Sequence, residues 1–231
     1  METMSLTVLE KTLSVTFQSP LLIKQAFIHR SYLNEAKKKT ASNERLEFLG
    51  DSILSFVVSE HLFRTYPHFP EGHLTNLRST LVKTSTLAEI AQDLQLGNFL
   101  YLSKGEEEGG GRKNASILAD TFEAFLGALF LDQGLTVAAS LINTYLLPKL
   151  PVILAERLYK DAKSTLQERV QDELKVSPAY SVLKEEGPDH AKEFTIGVSV
   201  NGTLLAEGKG KSKQEAEQAA AARALEKWQK K

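Results

Sequence analysis

Asn43-Glu44-Arg45-Leu46-Glu47-Phe48-Leu49-Gly50-Asp51-Ser52-Ile53-Leu54 has two faces when wound as a helix, at about 100° per residue. Glu44, Glu47 and Asp51 fall within one narrow arc, and Leu46, Leu49, Ile53 and Val57 fall on the opposite one. One side seeks a core; the other carries three carboxylates that repel one another. Solvation or a cation removes that repulsion. A second acidic pair, Asp120 and Glu123, stands at i, i+3 inside Ile117–Leu131. That run is apolar almost all round, as a buried helix is. Unpaired charge there costs several kcal/mol or drives the group to its neutral form. A hard divalent cation is the natural partner, because all-oxygen ligation suits Mg2+ or Mn2+.

Outward from this stretch, Leu6–Leu13 and Pro20–Arg30 read as short helices, the second opened by a proline and striped by Leu22, Ile23, Ala26 and Phe27. Glu35–Ser42 is polar and lysine-rich, a loop. Asn43 is placed to cap the next helix, and Glu44 suits its first turn. That helix should fade near Tyr66-Pro67, with a turn at Phe69–His73. Leu74, Leu77 and Leu81, then Leu87, Ile90, Ala91 and Leu94, keep helical spacing up to Gly97-Asn98. Gly105–Lys113 is expected to be a mobile loop; it lacks the preceding strand and the Gly-Lys-Ser/Thr ending of a phosphate cradle. The buried acidic helix stops at Gly134, and Thr136–Leu147 forms another. Nothing here alternates with period two, so this half is expected to be all-α.

The pattern changes across Pro148–Lys160, the expected linker region. Beyond it, Leu166, Val170 and Leu174 mark a helix, and Tyr180–Lys184 a short strand. Phe194, Ile196, Val198 and Val200 alternate; Asn201-Gly202 is a two-residue hairpin turn, and Leu204 opens the return strand. Ser212 and Glu215 form a capping box before an alanine-rich helix to Trp228.

At 231 residues the chain suits one large domain or two small ones. It has no cysteine, which excludes disulfides, thiolate metal sites and cysteine nucleophiles and fits a reducing compartment. Met1–Ser5 shows no basic-then-apolar leader, and apolar runs such as Ile53–Val58 are too short to span a bilayer. A cytoplasmic location without membrane contact is expected. The net charge of −1 means that any nucleic acid must be bound through local patches. His29, His61, His68 and His73 show no paired ligand spacing and read as surface or packing residues.

Asn43–Ser52 resembles the hallmark stretch of bacterial ribonuclease III, Ala-Asp-Thr-Phe-Glu-Ala at 119–124 that family's second acidic motif, and Ala26–Tyr32 the segment before the hallmark. The α-β-β-β-α order, with Gly187-Pro188-Asp189-His190 in its first hairpin loop, resembles a double-stranded-RNA-binding domain. The resemblance implies an α+β chain of two domains: an all-α nuclease domain at 5–152, a linker at 153–160 and the RNA-binding domain at 161–229. It implies an endoribonuclease that cleaves double-stranded RNA with Mg2+, with Mn2+ as a substitute. The products would be staggered ends with 5′-phosphate and 3′-hydroxyl, and the role processing of ribosomal-RNA precursors and messenger RNA.

By the same resemblance Glu47, Asp51, Asp120 and Glu123 hold the metal, Asp51 and Glu123 matter most for catalysis, and Glu44 is auxiliary. Duplex RNA is recognised by shape, through minor-groove hydroxyls and phosphates. The residues implied to touch it are Gln167 and Glu168, then Pro188, Asp189 and His190, then Lys209, Lys211, Ser212 and Lys213 around a helix start whose N–H groups suit phosphate. The family often has a lysine where this chain has Gln214. Phe48 lies on the wheel near the acids, away from the core face, so it fills a second core layer or meets a partner; in the resembled family it packs into the other subunit of a homodimer. The rival reading is a non-catalytic duplex-RNA-binding or ribosome-associated protein on the same scaffold. Such a protein would be expected to lose acidic ligands, and all four are here. A helical di-metal carboxylate protein would want Glu-x-x-His pairs, which the acidic motifs lack.

Overall fold

The computed structural model describes residues 5–36, 39–155, 162–188 and 192–228. The chain divides into two compact units, Met1–Tyr159 and Lys160–Lys231. Most of the expected linker, 156–160, lies outside the described residues, as do Asp189 and His190.

The first unit is helical: α1 (Leu6–Leu13), α2 (Pro20–Ala26), α3 (Glu44–Thr65), α4 (Glu71–Leu81), α5 (Thr84–Asp93), α6 (Lys104–Glu108), α7 (Ala115–Gln133), α8 (Leu135–Tyr145) and α9 (Leu150–Ala155). The long helices α3 and α7 cross at its centre. Leu54, Val58 and Leu62 of α3, with Phe122, Phe125, Leu126 and Leu129 of α7, are buried together with Leu87 and Ile90 of α5. Phe125 meets Phe17 and Phe27 with ring centroids 5.7 and 6.0 Å apart. Helix α7 is buried on nearly every side because its sequence offers no polar stripe. Asn114 caps it, its Oδ1 accepting from the N–H groups of Ser116 and Ile117. The stretch Leu135–Ala155 is long and apolar enough by composition to cross a bilayer. Here it breaks into α8, a 3-10 turn at Leu147–Lys149 and α9, and its Ala138, Leu141, Ile142, Leu146, Leu150 and Ile153 join the helical core.

Three local expectations change. The second helix ends at Ala26 rather than Arg30. Phe27–His29 is drawn out to meet Tyr101, whose N–H donates to Phe27 O and whose carbonyl accepts from His29 N–H. Asn43 precedes α3 but makes no side-chain cap. Its backbone is already helical (φ −78°, ψ −12°), so the side chain does not reach back over the first turn, and the residue is only 3 % exposed. Gly105–Lys113 is built rather than loose. Ser103 Oγ accepts from Glu106 N–H at the start of α6, and Gly111–Lys113 is a 3-10 turn. The Arg112 guanidinium pairs with Glu107 at 2.9 Å and donates to the carbonyls of Gly97 and Leu100.

The second unit runs α10 (Ala162–Leu174), β1 (Ala179–Glu186), β2 (Glu193–Val200), β3 (Thr203–Gly210) and α11 (Lys213–Trp228). The sheet is antiparallel in the order β1-β2-β3. Asn201 and Gly202 both take positive φ, 49° and 77°, as the tight turn between twisted strands requires. Val198, Val200 and Ala206 face Leu166, Val170, Ala220, Ala221 and Ala224. The alanines have a reason: β3 lies so close to α11 that a Cβ on Gly208 or Gly210 would strike the backbone at Ala220 or Ala216. Ser212 Oγ accepts from Glu215 N–H at 3.1 Å, while the Glu215 carboxylate reaches back to the N–H of Lys211 at 2.8 Å.

Candidate functional site

The crossing of α3 and α7 explains the site. A Cβ on Gly50 would run into the carbonyl oxygen of Glu123, and one on Gly127 into that of Leu46. Only glycine lets these two main chains touch. Glu47 stands three residues before Gly50, and Glu123 four before Gly127, so the contact carries their side chains to the same place. Carboxylate oxygens of Glu47, Asp120 and Glu123 come within 4.8 Å of one another. Asp51, one turn beyond Glu47, is exposed and outside that tight group, yet its charge reaches Glu123 and Glu47.

The three clustered acids resist ionisation. Burial, reinforced by Asp51, Asp120 and Glu47, pushes the Glu123 carboxyl up to about 8. Burial raises Glu47 too, followed by the charges of Asp120, Glu44 and Asp51. Burial raises Asp120, and the imidazole of His29 works against it. Half-buried carboxylates at this spacing give an all-oxygen donor set, and a divalent metal fits. Glu44 sits at the edge: Arg30 approaches it at 3.6 Å and Ser42 Oγ donates to it at 2.7 Å.

Two features lie beyond the sequence reading. His29 reads there as a packing residue, but its charge reaches Asp120. The glycine crossing has a sequence signal, a glycine one helical turn after an acid in both motifs; for His29 the signal is its place in Ala26–Tyr32, the segment before the hallmark. Phe48 is 78 % exposed, and Phe56 and Phe63, at 56 % and 72 %, extend an aromatic stripe along the same helix.

In the second unit Gln167 is exposed and Glu168 half-buried on α10, and Pro188 is exposed after β1. Lys209, Lys211 and Lys213 are exposed around the start of α11. Two are already engaged: Lys209 with Glu193 at 3.6 Å, and Lys213 with Glu185 at 3.4 Å and over the ring of Phe194.

Comparison with known proteins gives the same division. Residues 19–150 match the model of a family described as ribonuclease-III-like, and residues 162–228 that of the double-stranded RNA binding motif. The chain is 48 % identical to ribonuclease 3 of Pelotomaculum thermopropionicum over 95 % of its own length and 92 % of that protein's. It is 48 % identical to ribonuclease 3 of Streptococcus gordonii over 92 % of each. Among solved structures, the nuclease domain of ribonuclease III from Campylobacter jejuni superposes with a TM-score of 0.59 at 38 % identity, covering 64 % of this chain and 99 % of that one. Fold, carboxylate cluster and matches define a class: an endoribonuclease that carries its own module for duplex RNA. The chain belongs to the ribonuclease III family.

Proposed function

We propose that this endoribonuclease, which cleaves double-stranded RNA, works with Mg2+ held by Glu47, Asp51, Asp120 and Glu123, and that Mn2+ can replace it. The observation that supports this is the convergence of Glu47, Asp120 and Glu123 within 4.8 Å across the glycine crossing. Held there, a divalent ion would supply positive charge for the phosphoryl oxygens and would ease the deprotonation that makes water nucleophilic at neutral pH. The chain's own work is to hold those oxygens together, to orient the water through Asp51 and Glu123, and to exclude bulk solvent from Glu123. Glu44, drawn toward Arg30 and Ser42, is auxiliary.

The same reading has the protein act as a homodimer. The exposed stripe Phe48, Phe56 and Phe63 supports it: apolar rings aligned on one helix face are the kind of surface a two-fold partner covers. Two clusters per dimer would cut the two strands at staggered positions, leaving 5′-phosphate and 3′-hydroxyl ends. In the second domain, taken as 161–229 after a nuclease domain at 5–152 and a linker at 153–160, the duplex meets Gln167, Glu168, Pro188, Asp189, His190, Lys209, Lys211, Ser212 and Lys213. Processing of ribosomal-RNA precursors and messenger RNA in the cytoplasm is the role this chemistry serves.

Long duplex RNA incubated with Mg2+ and the Glu123→Ala variant tests the reading. Cleavage should fall by about 100-fold or more, because a metal ligand matters at least as much as the groups behind it, while duplex binding persists. Normal cleavage by this variant removes Glu123 from the site.

A further inference from the structure

In the second unit β3 stands at the rim of the sheet, with β2 on one side and, among the described residues, no strand on the other. Val200 and Thr203 close the two-residue hairpin turn as a bonded pair. Bonded and open pairs then alternate along β2, so Val198 and Ile196 bond to β3 while Gly197 and Thr195 do not. Their partners, Glu207 and Lys209, therefore turn N–H and C=O to the outer rim. Two cations of α11 occupy it. Arg223 Nη1 donates to Glu207 O at 2.9 Å, and Lys227 Nζ donates to Leu205 O at 2.8 Å. They stand one helical turn apart, both exposed, in a groove of about 530 Å³ lined by 204–207, Arg223, Glu226 and Lys227. On the sheet face away from the helices, Leu204 and Leu183 lean over Gly197, where a Cβ would meet their methyl carbons at 2.7 and 3.0 Å. Both leucines are nearly half exposed, so an apolar patch adjoins the rim. The opposite rim is different: β1 is broken by a register shift between Val182 and Lys184 and ends in Lys184-Glu185-Glu186.

We propose that Arg223 and Lys227 form a latch that closes the β3 rim to the β3 strand of a second copy of this chain. A rim strand with unpaired peptide groups beside an apolar patch is a template for further pairing. Two copies would meet β3 to β3, antiparallel about a two-fold axis. The latch opposes this at its first step. An incoming strand needs the carbonyls that the two side chains hold, and it must move two charged ends out of the groove in which its own backbone would lie. β1 needs no such device, because a bulge and a run of charges already spoil its rim. The inference rests on the fold of the second unit alone and is independent of the metal reading.

The test uses the full chain without RNA and combines sedimentation with amide hydrogen exchange. Arg223→Ala with Lys227→Ala removes both donors and leaves good helix formers. In the wild type the amides of Glu207 and Lys209 should exchange fast. In the double variant they should slow by about 10-fold or more, as newly paired strand amides do, and the mass should climb with concentration. Pairing between two units already held in one particle slows exchange at constant mass, and this also supports the latch. Glu207→Pro added to the double variant deletes an outward N–H without touching the ladder to β2. It should restore fast exchange at Lys209 and the wild-type mass. Fast exchange at both amides in the double variant overturns the proposal, whatever the mass. So does slow exchange at Lys209 that survives the proline, because the rim is then not the contact. If the alanine variant melts early, Arg223→Met with Lys227→Met, which keeps the aliphatic stems and removes only donors and charge, is judged by the same criteria.

Discussion

At the scale of single residues, Glu123 carries the clearest consequence. Its carboxyl is held protonated up to about 8 by burial and by three acidic neighbours. A metal must displace that proton. Affinity for Mn2+ should therefore rise with pH by up to about tenfold per unit and level off above about 8. Glu47 and Asp120 are raised as well, so they act in the same direction. Without an ion the sign for stability is opposite. The folded state holds the proton more tightly than the unfolded one, whose carboxyl titrates near 4.5. Stability is then fullest below that value and declines as pH rises through about 8. Mn2+ titrations at several pH values check the first statement; a flat profile in the wild type, or an unaltered slope in Glu123→Gln, contradicts it. The acids were legible from sequence because charge inside an apolar run is conspicuous. The reach of His29 to Asp120 was not, because His29 is held by the pairing of Phe27–His29 with Tyr101, which no local spacing encodes.

At the scale of elements, the crossing of α3 and α7 sets the width of the cluster. Gly50→Ala and Gly127→Ala would each force a methyl group into a backbone carbonyl. Overpacking of this kind costs about 1–3 kcal/mol, measurable by urea unfolding, and the separated helices should bind Mn2+ less well. Unchanged stability and unchanged Mn2+ affinity would show that the crossing relaxes freely and does not hold the acids together. The long helices and the Asn201-Gly202 hairpin could be read in advance because their periodicity or turn chemistry is strong and local. The short pieces could not. The 3-10 turn at Arg30–Asn34 sets Tyr32 against Tyr101, and the uncapped Asn43 is tied to Ile28 O, partners distant in sequence, while α6 is closed by Arg112 five residues beyond Glu107.

At the scale of the whole molecule, the two units have separate cores, one around Phe122 and Phe125 and one around Val198 and Ala220. A chain ended after Ala155 should therefore keep its fold and its metal-dependent cleavage. It should need roughly 100-fold more duplex for half-maximal rate, since linked binding sites raise each other's occupancy. Equal half-saturation with and without residues 156–231 would deny the second unit its part in capture. The same shortened protein should sediment as a dimer, and Phe48→Ala should shift it toward monomer; a dimer indifferent to Phe48 would move the interface elsewhere. Net charge revealed nothing of this, because the basic and acidic groups nearly cancel over the chain.

The lysines around the start of α11 have a last consequence. Lys209 and Lys213, proposed above as RNA contacts, rest on Glu193 and Glu185. Exposed pairs of this kind are worth about 0–1 kcal/mol each, which sets a small entry threshold. A solitary phosphate at one such lysine gains a similarly small amount and must first displace the resident carboxylate. A polyanion engaging several sites together clears the threshold, with counterions released at each contact. Discrimination against the small phosphates of the cell would then begin before any groove is read.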